Sequence, residues 1–77
     1  MTVNDLREGE KAVIVGISGL EGQITQKLMD LGLLRGVAVT MVHRAPLGDP
    51  VWVELKGYQL ALRGDLARHI EIEEVIK

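Results

Sequence analysis

The sequence predicts a mainly β fold: a small, strongly bent, five-stranded antiparallel barrel, with one α-helix inserted after the first strand (about residues 19–31) and a short helical turn near residues 65–68. Three observations carry that prediction. Short runs of β-branched or alternating apolar residues recur along the chain, bounded by glycine or proline. One stretch, Leu20 to Leu31, repeats its apolar residues at helical spacing. A rigid turn, Arg44-Ala45-Pro46-Leu47-Gly48-Asp49-Pro50, separates the strand-like runs Val37–His43 and Val51–Leu55.

The turn is the most informative stretch. Pro46 fixes its own φ and pushes Ala45 into an extended conformation, while Pro50 does the same to Asp49 and has no N–H for a ladder. Pairing therefore stops near one proline and resumes near the other. Ala45-Pro46-Leu47-Gly48 fits a type I turn, with proline second and glycine fourth, and the Asp49 carboxylate is free to accept from nearby backbone donors. Leu47 is left at the tip as the one apolar side chain.

At 77 residues the chain is read as one domain, 1–77, burying ~60–65% of its unfolded surface. With no cysteine, neither disulfides nor thiolate-bound metal supplement the core, so the 47% apolar content must supply it. The nine basic residues are scattered and the net charge is −2, which argues against nucleic acid. Met1-Thr2-Val3-Asn4-Asp5 has neither the basic segment nor the apolar run of a signal peptide, and no run reaches the ~20 apolar residues of a membrane span. A cytoplasmic location without membrane insertion is the expectation.

Each element has its own warrant. Leu6 is an apolar anchor in a polar approach, and Gly9 offers a turn into the first strand, Lys11–Ile17, which is apolar on both alternations and so needs cover on both faces. Ser18-Gly19-Leu20-Glu21 matches a capping box for the helix. Leu20, Ile24, Leu28 and Leu31 form its apolar stripe, and Gly32 with Leu33 suits a Schellman ending. Val37, Val39, Met41 and His43 share one face of the next strand. Val51, Val53 and Leu55 alternate with Trp52, Glu54 and Lys56. Lys56-Gly57-Tyr58-Gln59 makes a tight reversal into Leu60-Ala61-Leu62-Arg63, completing a three-stranded meander. Asp65 is the expected N-cap of the helical turn, and His69–Glu73 forms the last strand with Ile70 and Ile72 inward.

With these elements placed, the sequence resembles the FeoA family, the small ferrous iron transport protein A with an SH3-like barrel. The likeness rests on Leu6-Arg7-Glu8-Gly9, on Lys27-Leu28-Met29-Asp30-Leu31-Gly32-Leu33 with Gly36, and on Ala45-Pro46-Leu47-Gly48-Asp49-Pro50. It continues through Gly57-Tyr58-Gln59-Leu60-Ala61-Leu62-Arg63 and Ala67-Arg68-His69-Ile70. Where the family often carries two basic residues ahead of its helical Leu-x-x-Leu-Gly, this chain has Gln26 and Lys27. The resemblance implies a non-enzymatic cytoplasmic accessory of ferrous iron uptake that binds and modulates the cytoplasmic part of a FeoB-type membrane permease. The alternative is a metal-responsive regulatory domain whose association state depends on a divalent transition metal ion.

Four residues are the candidate partner contacts: Leu47 at the tip, Arg44 and Asp49 flanking it for orientation, and Trp52 as an aromatic anchor. The plainer readings are a hairpin whose prolines only end the pairing and a tryptophan that covers the open end of a barrel. Candidate metal ligands are His43, His69, Asp49, Glu54, Glu71, Glu73 and Glu74. Same-face strand neighbours lie ~6.8 Å apart, so His69 and Glu71 can share a cation while His69 and Glu73 cannot. Two ligands make a weak site, and no metal, cofactor or catalytic residue is assigned. No phosphate-cradling G-x-x-x-x-G-K-[ST] motif occurs, and two aromatics are too few for a proline-rich-peptide groove. An exposed strand edge is the expected route to strand addition, by a partner or by a second copy in a weak homo-oligomer.

Overall fold

The computed structural model of the chain describes residues 1–74. An opening 3-10 turn, Val3–Asp5, leads into β1 (Lys11–Ile17), α1 (Gly22–Asp30), β2 (Ala38–Arg44), β3 (Val51–Leu55), β4 (Tyr58–Leu62), α2 (Gly64–Ala67) and β5 (Ile70–Glu74). All five strands pair antiparallel, in the order β4-β3-β2-β1-β5. The fold class is the one the sequence predicts, although among the described residues no ladder joins β4 to β5. Residues 75–77 of the expected single domain lie outside the described part.

The period-2 pattern sets the core. Val51, Val53 and Leu55 of β3 face inward with Val39 and Met41 of β2, Ala12 and Ile14 of β1, and Ile70 and Ile72 of β5, all buried. Each large side chain among them contributes about 1.5–3 kcal/mol by leaving water. Leu6 is buried as its sequence position indicates. Val3, which no periodic pattern marks as apolar core, is equally buried, because the Thr2 amide donates to the Asp5 carboxylate at 2.8 Å and coils the first residues over the core.

Three expectations are corrected. First, α1 begins at Gly22 rather than near residue 19, and its N-cap, Glu21, makes no side-chain cap. The Ser18-to-Glu21 capping box does not form, because Gly19 is left-handed (φ +78°) and the Ser18 hydroxyl donates instead to Glu71 at 2.9 Å. With the helix shortened, Leu28 is its one fully buried residue, Leu20 packs partly, and Ile24 and Leu31 are exposed. Leu33, just beyond the helix, supplies the missing cover. The C-terminal end does form as expected: the Leu33 amide donates to the Leu28 carbonyl at 3.2 Å and the Gly32 amide to Met29 at 2.9 Å, a Schellman pair.

Second, β2 bulges between Met41 and His43, so Val42 is an extra residue against β3 and His43 leaves the face of Val39 and Met41. His43 is exposed and pairs with Trp52. Third, Arg63 rather than Asp65 is the N-cap of α2; Asp65 sits in the first turn, held by the Arg63 guanidinium at 2.8 Å.

Candidate functional site

The loop between β2 and β3 projects as a finger. The Gly48 amide donates to the Ala45 carbonyl at 2.7 Å, closing the turn, and the Ala45 amide donates to Pro50 at 3.1 Å, closing its base. The two prolines thus frame a compact reversal with Leu47 at the apex, 97% exposed.

The flanking charges act on the loop itself. The half-buried Arg44 guanidinium donates to the carbonyls of Asn4 (2.7 Å), Leu6 (3.1 Å) and Gly48 (3.1 Å) and to the Asn4 side chain (3.3 Å). One planar fork therefore joins the finger to the N-terminal turn. On the other side Asp49 accepts from the Gly64 amide at 3.0 Å, fixing the finger to the start of α2. Leu47 is thereby held out on a braced support, with no core contact to lose on docking.

Trp52 lies just beyond the loop, half-buried, its ring centroid 5.4 Å from that of His43 and tilted by 40°. His43 Nδ1 is 3.3 Å from Glu8, whose same oxygen accepts the Arg44 amide at 2.9 Å. The structure thus gathers Arg44, Leu47, Asp49 and Trp52 into one region. It adds Glu8 and the Asn4 backbone, which sequence reasoning missed because a carbonyl acceptor some 40 residues away leaves no mark on local pattern. An open cleft of about 690 Å³, lined by Leu6, Arg7, Glu8, Arg44 and Pro46 among others, runs beside the finger.

Elsewhere, His69 and Glu71 are both engaged with Ser18. His69 Nδ1 donates to its carbonyl at 3.0 Å, which fixes the proton on Nδ1 because a carbonyl only accepts, and Glu71 accepts its hydroxyl. Among the described residues no three His, Asp or Glu side chains converge on one point. A second, apolar groove of about 250 Å³ lies between β1 and α1, lined by Ile17, Met29, Leu33 and Leu34 with Arg35 at its rim. The exposed Met29 and Leu34, apolar residues off the helical stripe, were its only trace in the sequence.

The finger, the inserted helix and the strand order coincide with a known domain: the FeoA domain family matches residues 1–74. The chain belongs to the FeoA family. A fusion of Fe(2+) transport protein A with the Fe(2+) transporter FeoB from Porphyromonas gingivalis is 36% identical over 73 residues, 95% of this chain and 8% of the fusion. Among solved structures, the FeoA protein of Chlorobium tepidum superposes with a TM-score of 0.90 at 33% identity, over 99% of this chain and 71% of that one. The FeoA of Stenotrophomonas maltophilia complexed with zinc, described as a prokaryotic SH3 domain protein, gives 0.84 at 29% identity, over 95% and 89%. FeoA is a family of ferrous iron transport, and its barrel is SH3-like. No helix among the described residues is long and apolar enough to cross a membrane.

Proposed function

We propose that this FeoA chain is a non-enzymatic cytoplasmic accessory that docks on the cytoplasmic part of a FeoB-type ferrous iron permease and modulates it, with the proline-framed finger as the contact. The observation that carries the reading is Leu47, almost fully exposed on a loop whose other polar groups are spent on bracing it. Burying such an apolar side chain in a partner pocket releases ordered water at little conformational cost, because the loop is already fixed. The P. gingivalis relative, in which the two parts share one chain, supports the pairing. Trp52, Arg44 and Asp49 then form the surround of the Leu47 contact, and an exposed strand edge adds a weak route to self-association.

The test immobilises the permease's cytoplasmic domain and compares the wild type with Leu47→Asp. Binding falls at least tenfold, while stability changes by no more than about 0.5 kcal/mol because the residue touches no core. Equal binding by the two chains overturns the assignment of the finger.

A metal-responsive role is the second reading, favoured by the zinc complex of the S. maltophilia relative. In this chain the nearest arrangement is the His69 and Glu71 pair about Ser18. Elution that shifts on adding ferrous or manganous ion selects this reading over docking alone.

A further inference from the structure

The two ends of the sheet are treated differently. The outer side of β5 is covered: Thr2 bridges to Glu71, and the Ile72 amide donates to the Met1 carbonyl at 3.0 Å. The outer side of β4 has no such cover, for among the described residues no hydrogen bond outside the β3 ladder uses the backbone of residues 59–61. Nor does β4 carry the usual guards of a free edge. Tyr58-Gln59-Leu60-Ala61-Leu62 has no charge and no proline, and its register with β3 runs without a bulge from Leu55↔Tyr58 to Val51↔Leu62.

The turn fixes which groups are free. Lys56 and Gly57 both have positive φ (50° and 85°), the two-residue type I′ reversal in which the flanking pair, Leu55 and Tyr58, exchanges hydrogen bonds. Hydrogen-bonding alternates along an antiparallel ladder, so Tyr58, Leu60 and Leu62 bond inward to β3, while Gln59 and Ala61 aim their N–H and C=O groups outward.

The geometry points to a second copy of this chain as the occupant of that edge, its β4 antiparallel to the first about a two-fold axis through Leu60. This register sets Gln59 of each copy opposite Ala61 of the other, so that both free residues are used twice over and four backbone hydrogen bonds form. A slip of one pairing step in either direction leaves half of them unmade. The same register places Lys56 opposite Gly64 and Arg63 opposite Gly57, so no like charges meet across the seam. An uncharged strand offers a foreign charged segment no selective attraction, whereas it is self-complementary under the two-fold. The interface is small, below the ~1,200 Å² of stable complexes, so the dimer is a weak one that forms as concentration rises. The inference rests on the self-association route of the proposed function, to which it assigns an edge and a register, and it needs nothing from permease docking.

Sedimentation of the full chain from micromolar to millimolar concentration tests it, with two variants. Ala61→Pro deletes one outward donor without touching the β3 ladder, and Gln59→Lys places a guarding charge on the edge at an exposed position. The wild type passes from the mass of one chain toward that of two, and each variant, its fold confirmed by circular dichroism, raises the dissociation constant at least tenfold. A wild type that stays at one chain mass throughout, or a dimer indifferent to both changes, overturns the proposal. So does a monomer whose binding to the permease domain is abolished by Ala61→Pro, which assigns the edge to the partner's strand. Loss of dimer with intact permease binding separates this result from the fate of the finger.

Discussion

The Asp49 carboxylate accepts the Gly64 amide at 3.0 Å, so the loop between β2 and β3 caps a helix that lies beyond two intervening strands. Asp65, the residue placed by sequence to do this, is drawn away to Arg63. A capping carboxylate replaced by alanine costs about 1 kcal/mol, and the cost here includes release of one side of the finger. Asp49→Ala is expected to lose that amount in urea denaturation. Asp49→Asn, which keeps an acceptor oxygen, loses less than half as much. Equal losses in the two variants would show that charge rather than capping matters.

Arg44 reaches four acceptors on three residues, two in the N-terminal stretch and one in the finger, a pattern that depends on the planar fork. Lysine carries the same charge on a single nitrogen and cannot span them, leaving half-buried carbonyls without donors. Arg44→Lys is expected to destabilise the protein by about 2 kcal/mol, within the range for hydrogen bonds to charged groups. Amide shifts at Asp5, Arg7 and Asp49, the residues following the affected carbonyls, report the loosening directly. A stable variant with those shifts unmoved rules out the bracing role.

What the residues revealed, and what they hid, divides along sequence distance. Val51, Val53 and Leu55 were legible because β3 is regular, and the finger because two prolines and a glycine act within a few residues. His43 departs from the face its alternation predicts because the bulge at Val42 is set by pairing with β3, not by any local residue preference. The Ser18 to Glu21 capping box was a sound local pattern that lost to Glu71, a partner 53 residues away in sequence. In the candidate site, the apex Leu47 was readable. The acceptors of Arg44 and Asp49 were not, since the turn they bind exists only once the chain is folded.

The Arg63–Asp65 pair gives a pH dependence with a definite sign. The hydrogen bond from Arg63 holds the Asp65 carboxyl below its ordinary range. A carboxyl depressed in the folded state contributes stability above its unfolded pKa and loses it as pH falls through the folded one. Both side chains are well exposed, so the contribution is small and screened by salt. Arg63→Gln is expected to return the Asp65 titration upward toward the ordinary carboxylate range, read by carbon-detected NMR, and to flatten stability on acidification. A titration unchanged in the variant removes Arg63 as the cause.

Gly19, in the β1–α1 connection, leaves no room for a side chain. Its φ of +78° is unfavourable for any residue with a Cβ, and a Cβ built there would lie 2.8 Å from His69 Nδ1 and 3.1 Å from Cε1. Alanine must therefore meet about 1 kcal/mol of left-handed backbone energy and also push the imidazole off the Ser18 carbonyl, forfeiting a hydrogen bond of about 1 kcal/mol. The two terms are separable because the second exists only while the ring is present. Gly19→Ala is expected to cost about 2 kcal/mol in the wild type and about 1 kcal/mol in a His69→Ala background, a coupling that a double-mutant cycle in urea resolves. Equal cost in both backgrounds would place the whole penalty in the backbone, and His69 would then have no part in excluding a side chain from this turn.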